Sequence, residues 1–292
     1  MMLAGASPMH CKAARVWAHI RLFHPFPSAL VVGTSVVLLL IARGGWPGLS
    51  VLLRAAGTIA LSQIAVGSLN DLHDRETDAR FQPEKPIPSG LVSFQTARVM
   101  VGVSLAGVAV VAGSFGPLAL LIALVGTGGG LAYDLWLKPT PFSIVGYSAG
   151  FLSLITFLWL VAGRLDAWFL LAYPAGVFVV LAAHLSQSFP DLESDTELGL
   201  RGLAVHLGSL GSLIVIFMVY TVVLLAGLAA ATIAGSLPSL ALVSASVPLS
   251  VLALLNGRAA LIKRSARITM FHLMAPALAL LGAGCLLAIR SL

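Results

Sequence analysis

Apolar runs of about 17 to 25 residues recur along the whole chain, each long enough to cross a hydrocarbon core of about 30 Å as a helix. The runs are continuously apolar rather than alternating, which selects helices over a β-barrel. Only 10% of the 292 residues are charged and mean hydropathy is +1.00, against about 25% charged in soluble domains. A soluble fold would lack the polar surface needed to stay dissolved. The fold class expected is an all-α membrane protein, one bundle of about nine transmembrane helices. Its spans are expected at 26–43, 47–69, 94–113, 116–133, 143–163, 166–187, 207–233, 237–256 and 270–289. Glycines such as Gly126 and Gly128 to Gly130 are scattered through them, as small residues are where membrane helices pack closely. No linker or composition shift divides residues 1–292, which read as one domain with 1–25 as a cytoplasmic or interfacial segment. Within that segment, residues 9–22 interleave Lys12, Arg15, His19 and Arg21 with Val16, Trp17 and Ile20, the pattern of a basic interfacial helix.

Nine spans put the N-terminus and every second loop on one side. That side carries Lys12, Arg15, Arg21, Arg75, Arg80, Lys85, Arg98, Lys138, Arg201, Arg258, Lys263, Arg264 and Arg267; the other keeps Arg43, Arg54, Arg164 and Arg290. The positive-inside rule makes the first side cytoplasmic. The expected location is therefore the cell inner membrane, in contact with the lipid bilayer and with no nucleic-acid partner. The acids are as lopsided: only Asp166 lies opposite. Topology rules do not predict clustered acids, so these need another explanation. The two cysteines, Cys11 and Cys285, show no metal-ligand spacing.

The first acidic cluster is Asn70-Asp71-Leu72-His73-Asp74-Arg75-Glu76-Thr77-Asp78. In a continuing helix, Asp71, Asp74 and Asp78 fall at i, i+3 and i+7, on one face. The second is Asp191-Leu192-Glu193-Ser194-Asp195, with Asp191 and Asp195 at i, i+4. Carboxylates so close repel unless a cation sits among them. All-oxygen donor sets favour hard ions, and magnesium completes its shell from water and substrate phosphates. Two such sites facing across a cavity suit a diphosphate bridged by metal. The oxygen donors that the two segments offer are those of Asn70, Asp71, Asp74, Asp78, Asp191 and Asp195. Lys85 lies in a loop stiffened by Pro83, Pro86 and Pro88. Arg75, Arg80, Lys138 and Arg201 flank the acids, suited to phosphate oxygens. Arg258, Lys263, Arg264 and Arg267 read as topology anchors.

These residues resemble a known family. The run NDLHDRETDARFQPEKPIPSG is similar to the first signature of UbiA-type prenyltransferases, NDxxDxxxD with a following RPIPSG-like loop. DLESDTELGLRGLAVHLG resembles their second signature, and YDLWLKPTPFS their Tyr…Lys loop. The resemblance implies a helical bundle around a central cavity open toward lipid. It implies that Asn70, Asp71, Asp74, Asp78, Asp191 and Asp195 are metal ligands around a magnesium–diphosphate, with Asp71, Asp78, Asp191, Asp195 and Lys138 catalytic. There are departures. Lys85 and His24 stand where arginine is usual, Pro139 replaces a second basic residue, and Gly202 replaces a threonine. Arg21, one turn before His24, is the alternative phosphate contact of the first helix.

The expected activity is magnesium-dependent transfer of a prenyl group from an isoprenoid diphosphate to a small aromatic or lipid-like acceptor. Tyr133, Tyr147, Phe151, Phe157 and Trp159 are the aromatic candidates for steadying a cation-like carbon, and Tyr133, Tyr147 and His24 for the acceptor pocket. Two alternatives stand beside it. One is an enzyme of the same fold that cyclises or hydrolyses the diphosphate without an acceptor. The other is an ion or metal transporter, which would place its ionisable groups nearer the bilayer midplane.

Overall fold

In lipid every backbone N–H and C=O must find a partner within the protein, so long apolar runs become helices. The computed structural model describes residues 16–165 and 167–292, with the side chains of 167 and 168 outside the description. Lys12, Arg15, Cys11 and Asp166 lie outside the described residues. Within them, nine helices are long and apolar enough to cross a membrane, and no strand occurs. The chain is an integral multi-pass membrane protein.

A helical stretch at 16–21 buries Ala18 and Leu22 against Leu72, Val92 and Ala97 and leaves Val16 and Trp17 exposed. It is followed by α1 (Pro25–Arg43), α2 (Leu49–His73), the short α3 (Arg75–Phe81), α4 (Phe94–Gly113) and α5 (Pro117–Ala132). A π-helical turn, Tyr133–Leu137, extends α5. Then come α6 (Ser143–Val161), α7 (Ala172–Ser188), the short α8 (Leu192–Glu197), α9 (Leu203–Ile233), α10 (Leu237–Leu255), the single turn α11 (Gly257–Ala260) and α12 (Arg264–Ser291). Local signals set several ends. Pro25 and Pro117 begin helices, where a missing N–H costs nothing. Ser93 caps α4 and Ser236 caps α10 through their hydroxyls.

Glycine governs the closest packing. A Cβ at Gly129 would lie 2.8 Å from Ala149 Cβ and 3.0 Å from Gly146 O, and one at Gly146 would lie 2.9 Å from Gly129 O. Helices α5 and α6 therefore touch backbone to backbone along Gly126, Gly129, Gly146 and Gly150. The last helix, α12, is the most enclosed span, packed against α1, α7, α9 and α10. Exposed Val103, Val110, Leu225 and Ile233 present a lipid-facing surface. Trp136 and Phe142 at one end and Trp46 at the other sit exposed, as interfacial aromatics do.

Three helix starts depart most from the hydropathy reading, the first being α7, which begins at Ala172 rather than 166, after a 3₁₀ turn at Ala167–Leu171. Helix α9 begins at Leu203 rather than 207, and Gly208 at φ 68° breaks its ladder. Helix α12 begins at Arg264 rather than 270 because its first turns are polar and carry little hydropathy signal.

Candidate active site

A cavity of about 840 Å³ opens between α1, α2, α5, α6, α7 and α12. Its charged lining residues gather at one end. Along α12 its lining runs from Arg264 to Ile289, about 37 Å at 1.5 Å per residue. It therefore reaches through most of a bilayer core.

Both acidic loops meet at the polar mouth. Helix α2 ends at Asp74 (φ −82°, ψ 1°), and α3 follows directly, with Asp78 N–H bonded to Asp74 O. Asp74 and Asp78 line the cavity, as do Asn70, His24 and Lys85. The first cluster does not form one three-carboxylate nest. Lys85 Nζ lies 2.8 Å from Asp78 Oδ2 and 3.3 Å from Asp71 Oδ1, while Asp74 pairs with Lys138. Asp71 is 2% exposed, sits behind His24 and Lys85, and does not line the cavity. Basic side chains thus supply the counter-charge that the acids require. Burial alone pushes the Lys85 ammonium down, but Asp71 and Asp78 hold it above the usual lysine range. Burial also outweighs Lys85 at Asp78 and raises that carboxyl. Lys138, against burial, is held above its usual range by Asp74.

Lys138 is aimed by the π turn before it, whose bond from Lys138 N–H to Tyr133 O spans five residues. Such turns often mark functional sites. Gly202 then explains its departure from the threonine pattern. A Cβ there would lie 2.9 Å from Lys138 O, and Arg201 N–H bonds Pro139 O at 3.0 Å. The loop bearing the second acidic cluster presses directly on the lysine loop.

The second cluster is built by Pro190 and a 3₁₀ turn, Phe189–Asp191, leading into α8. Asp191 and Asp195 both line the cavity. Asp191 Oδ1 is 3.1 Å from Arg264 Nη2, and Arg264 also lines the cavity. The anchor reading of Arg264 is corrected here: α12 begins early enough to carry it to the mouth. Arg267 is buried against Glu193 (2.9 Å), the Ala260 carbonyl and the Phe189 ring.

Four expected phosphate contacts do not line the cavity. Arg75 follows Asp74 and so points away from it, to Glu76 and the Phe94 ring. Arg80 lies over Phe81, and Arg201 is exposed. Arg21 donates to Glu84 O. Of the two candidates before α1, His24 is the one at the cavity. Its Nε2 is 3.2 Å from Asp71 Oδ1, and it holds a left-handed φ of 50°, rare for a side chain. A Cβ at Gly67 would meet Phe23 Cα at 3.0 Å, so that glycine admits the crossing chain.

Sequence reasoning gave no role to Asp134. Its Oδ1 accepts from Asn70 at 3.1 Å, and its Oδ2 is buried with no hydrogen-bond partner among the described residues. Among those residues no three carboxylates, imidazoles or thiols already gather around one point. Magnesium needs only a few protein oxygens beside those of a phosphate and water. Asn70, Asp74, Asp78, Asp191 and Asp195, with the unpaired Asp134 oxygen, fit that donor chemistry. Of the aromatic candidates, Tyr133, Tyr147, Phe151 and Phe157 line the cavity, while Trp159 stacks on Phe169 away from it.

Fold and site together define an intramembrane cavity with carboxylates and lysines at one mouth and hydrocarbon along its length. The family model of the UbiA prenyltransferase family matches residues 30–275. The chain belongs to that family and is a prenyltransferase. It is 30% identical to a digeranylgeranylglyceryl phosphate synthase of Natronomonas pharaonis over 205 residues, 69% of this chain and 73% of the relative. It is 24% identical to a 4-hydroxybenzoate octaprenyltransferase of Vibrio atlanticus over 209 residues, 70% and 73% of the two chains. In fold it is similar to a UbiA homologue from Archaeoglobus fulgidus solved bound to GPP and Mg2+, with a TM-score of 0.65 at 16% identity, covering 92% of this chain and 99% of that one.

Proposed function

We propose that this chain transfers a prenyl group from an isoprenoid diphosphate to a separate acceptor, in a magnesium-dependent reaction at the cytoplasmic end of the bundle. The observation that carries the reading is the charge layout of one cavity. Two acidic loops and two lysines close its mouth, and its remaining length carries no Asp, Glu, Lys or Arg and is lined mostly by apolar side chains. A diphosphate needs the first environment and an isoprenoid tail the second. Asn70, Asp74, Asp78, Asp191 and Asp195 would hold magnesium, with Asp71 behind them fixing Lys85. Bound magnesium would neutralise charge gathering on the departing diphosphate oxygens.

The chain's own groups do the rest. Lys85 and Lys138 bind phosphate oxygens as point charges and stabilise the leaving group. The apolar walls keep water from the allylic carbon as it becomes cation-like. Tyr133, Tyr147 and Phe151 line the same space, where an aromatic ring can steady a cation. The cytoplasmic assignment rests on the excess of basic residues at the site end.

The test is radiolabelled geranyl diphosphate given to the purified protein in proteoliposomes with magnesium, with and without an acceptor panel. Acceptor-dependent consumption supports prenyl transfer. Consumption independent of acceptor means cyclisation or hydrolysis, and no consumption alongside ion flux means transport.

A further inference from the structure

Deeper in the cavity, inward of the carboxylates, stands a second polar group that no acidic motif contains. His184, on α7, is 1% exposed and lines the cavity. Its Nε2 is 2.9 Å from the Oγ of Ser143, the first residue of α6, and that Oγ also accepts Leu203 N–H at 3.4 Å. Its Nδ1 is buried and has no hydrogen-bond partner among the described residues. Two tyrosines wall the imidazole. Tyr133 meets it edge-on at 5.6 Å between centroids, and Tyr147 lies tilted at 4.9 Å. The Tyr147 hydroxyl donates to Gln187 Oε1, and Gln187 lines the cavity too.

An unpaired buried polar atom costs about 1 to 3 kcal/mol, so an orphan nitrogen beside a cavity marks a place where a ligand supplies the missing partner. The depth also fits. His184 precedes Asp191 by seven residues, roughly 10 Å of helical rise, and both line the cavity. A diphosphate held by Lys85, Lys138 and the acidic loops would present its allylic carbon inward, toward this imidazole.

Resting on the prenyl-transfer reading, we propose that His184 takes the proton of the acceptor, and that the acceptor is a phenolic ring held against the Tyr133 and Tyr147 rings, which pack on one another at 5.8 Å between centroids. With Nε2–H donated to Ser143 Oγ, Nδ1 keeps a lone pair for an incoming O–H. The step balances. The phenolic proton passes to Nδ1, and the O–H electron pair flows through the ring to form the new carbon–carbon bond at the allylic carbon. The allylic C–O bond breaks with its pair leaving on diphosphate. The C–H proton of the ring then passes to the released diphosphate or to water, and His184 returns its proton to the ring oxygen, which restores the phenol. A phenol, with an acidity near 10, suits a neutral imidazole far better than an alcohol close to water at about 15.7. Flat rings also stack on the two tyrosines, which glycerol carbons do not.

The test uses proteoliposomes, labelled geranyl diphosphate, magnesium and a graded series of 4-hydroxybenzoate, its 3-fluoro and its 3,5-difluoro derivatives. A glycerol phosphate lipid acceptor runs in parallel. Wild type should prenylate the phenols. His184→Gln should lower kcat on 4-hydroxybenzoate by about a hundredfold, with KM for the diphosphate changed by less than about twofold. The deficit should shrink as the phenol becomes more acidic and needs its base less. Ser143→Ala, which releases Nε2, should show the same trend more weakly. An equal deficit across the series would make His184 structural and overturn the proposal. Prenylation of the lipid and of no phenol would overturn it too, while leaving prenyl transfer intact. A wild type that neither binds nor consumes the diphosphate would remove the underlying reading, and this inference with it.

Discussion

Replacing Lys138 by alanine should cripple turnover while leaving the bundle folded. The lysine stands at the cavity mouth on a π turn, its ammonium paired with Asp74 and its side chain 24% exposed. Burial would lower its affinity for a proton, yet Asp74 keeps it charged, so the site always presents a cation. A charge pair about 4 Å apart is worth about 4 kcal/mol at an effective dielectric of about 20. Lys138 spends part of that on Asp74, which discounts what it gives a phosphate. The expected loss is therefore roughly 1.4 to 4 kcal/mol, about tenfold to a thousandfold in kcat/KM. The control is Lys263→Ala, whose exposed residue precedes α12 and lies off the cavity. Steady-state kinetics of both purified variants in one lipid composition, with thermal unfolding to confirm folding, makes the comparison. Equal, small effects would refute the role of Lys138 and leave its charge as a matter of topology alone.

Gly202→Ala should cost about ten- to a hundredfold in kcat/KM, because the new Cβ meets the Lys138 carbonyl at 2.9 Å and that oxygen is backbone that cannot rotate aside; wild-type kinetics would show that the loop yields freely. Exhaustive chelation should abolish turnover and magnesium should restore it best among divalent ions, measured by product formation; full activity without metal would sink the donor assignment. Asp78→Ala and Asp195→Ala should each remove most turnover. Arg75→Ala, which loses an exposed pair to Glu76, a bond to Leu72 O and its place on the Phe94 ring, all off the cavity, should change it by less than about threefold; similar losses at all three would dissolve the distinction between cavity and surface.

The spans were legible because hydropathy is a one-dimensional property, and each span satisfies its own backbone. Their polar ends were not, since a helix such as α12 spends its first turns outside the apolar run. The carboxylate clusters were legible because their spacing lies within single short segments. Their counter-ions were not, because Lys85 reaches Asp78 through a folded proline loop and Lys138 reaches Asp74 from another span entirely. Arg75 and Arg264 show the limit most clearly. Beside an acid in sequence, Arg75 looks like a phosphate ligand, yet a one-residue step on a helix turns it away. Arg264, distant in sequence and easily counted as a topology anchor, lands on Asp191.

A positive-inside excess and a phosphate site put the same residue types at the same end of a bundle, so composition cannot divide them; register against the cavity can. His184 was hidden for the complementary reason. A histidine within an apolar run looks like packing until tertiary contact shows that one ring nitrogen is held by Ser143 and the other by nothing among the described residues. What a membrane-enzyme sequence conceals is therefore chiefly which polar atoms remain unpaired after folding, and those are the atoms left to meet a substrate.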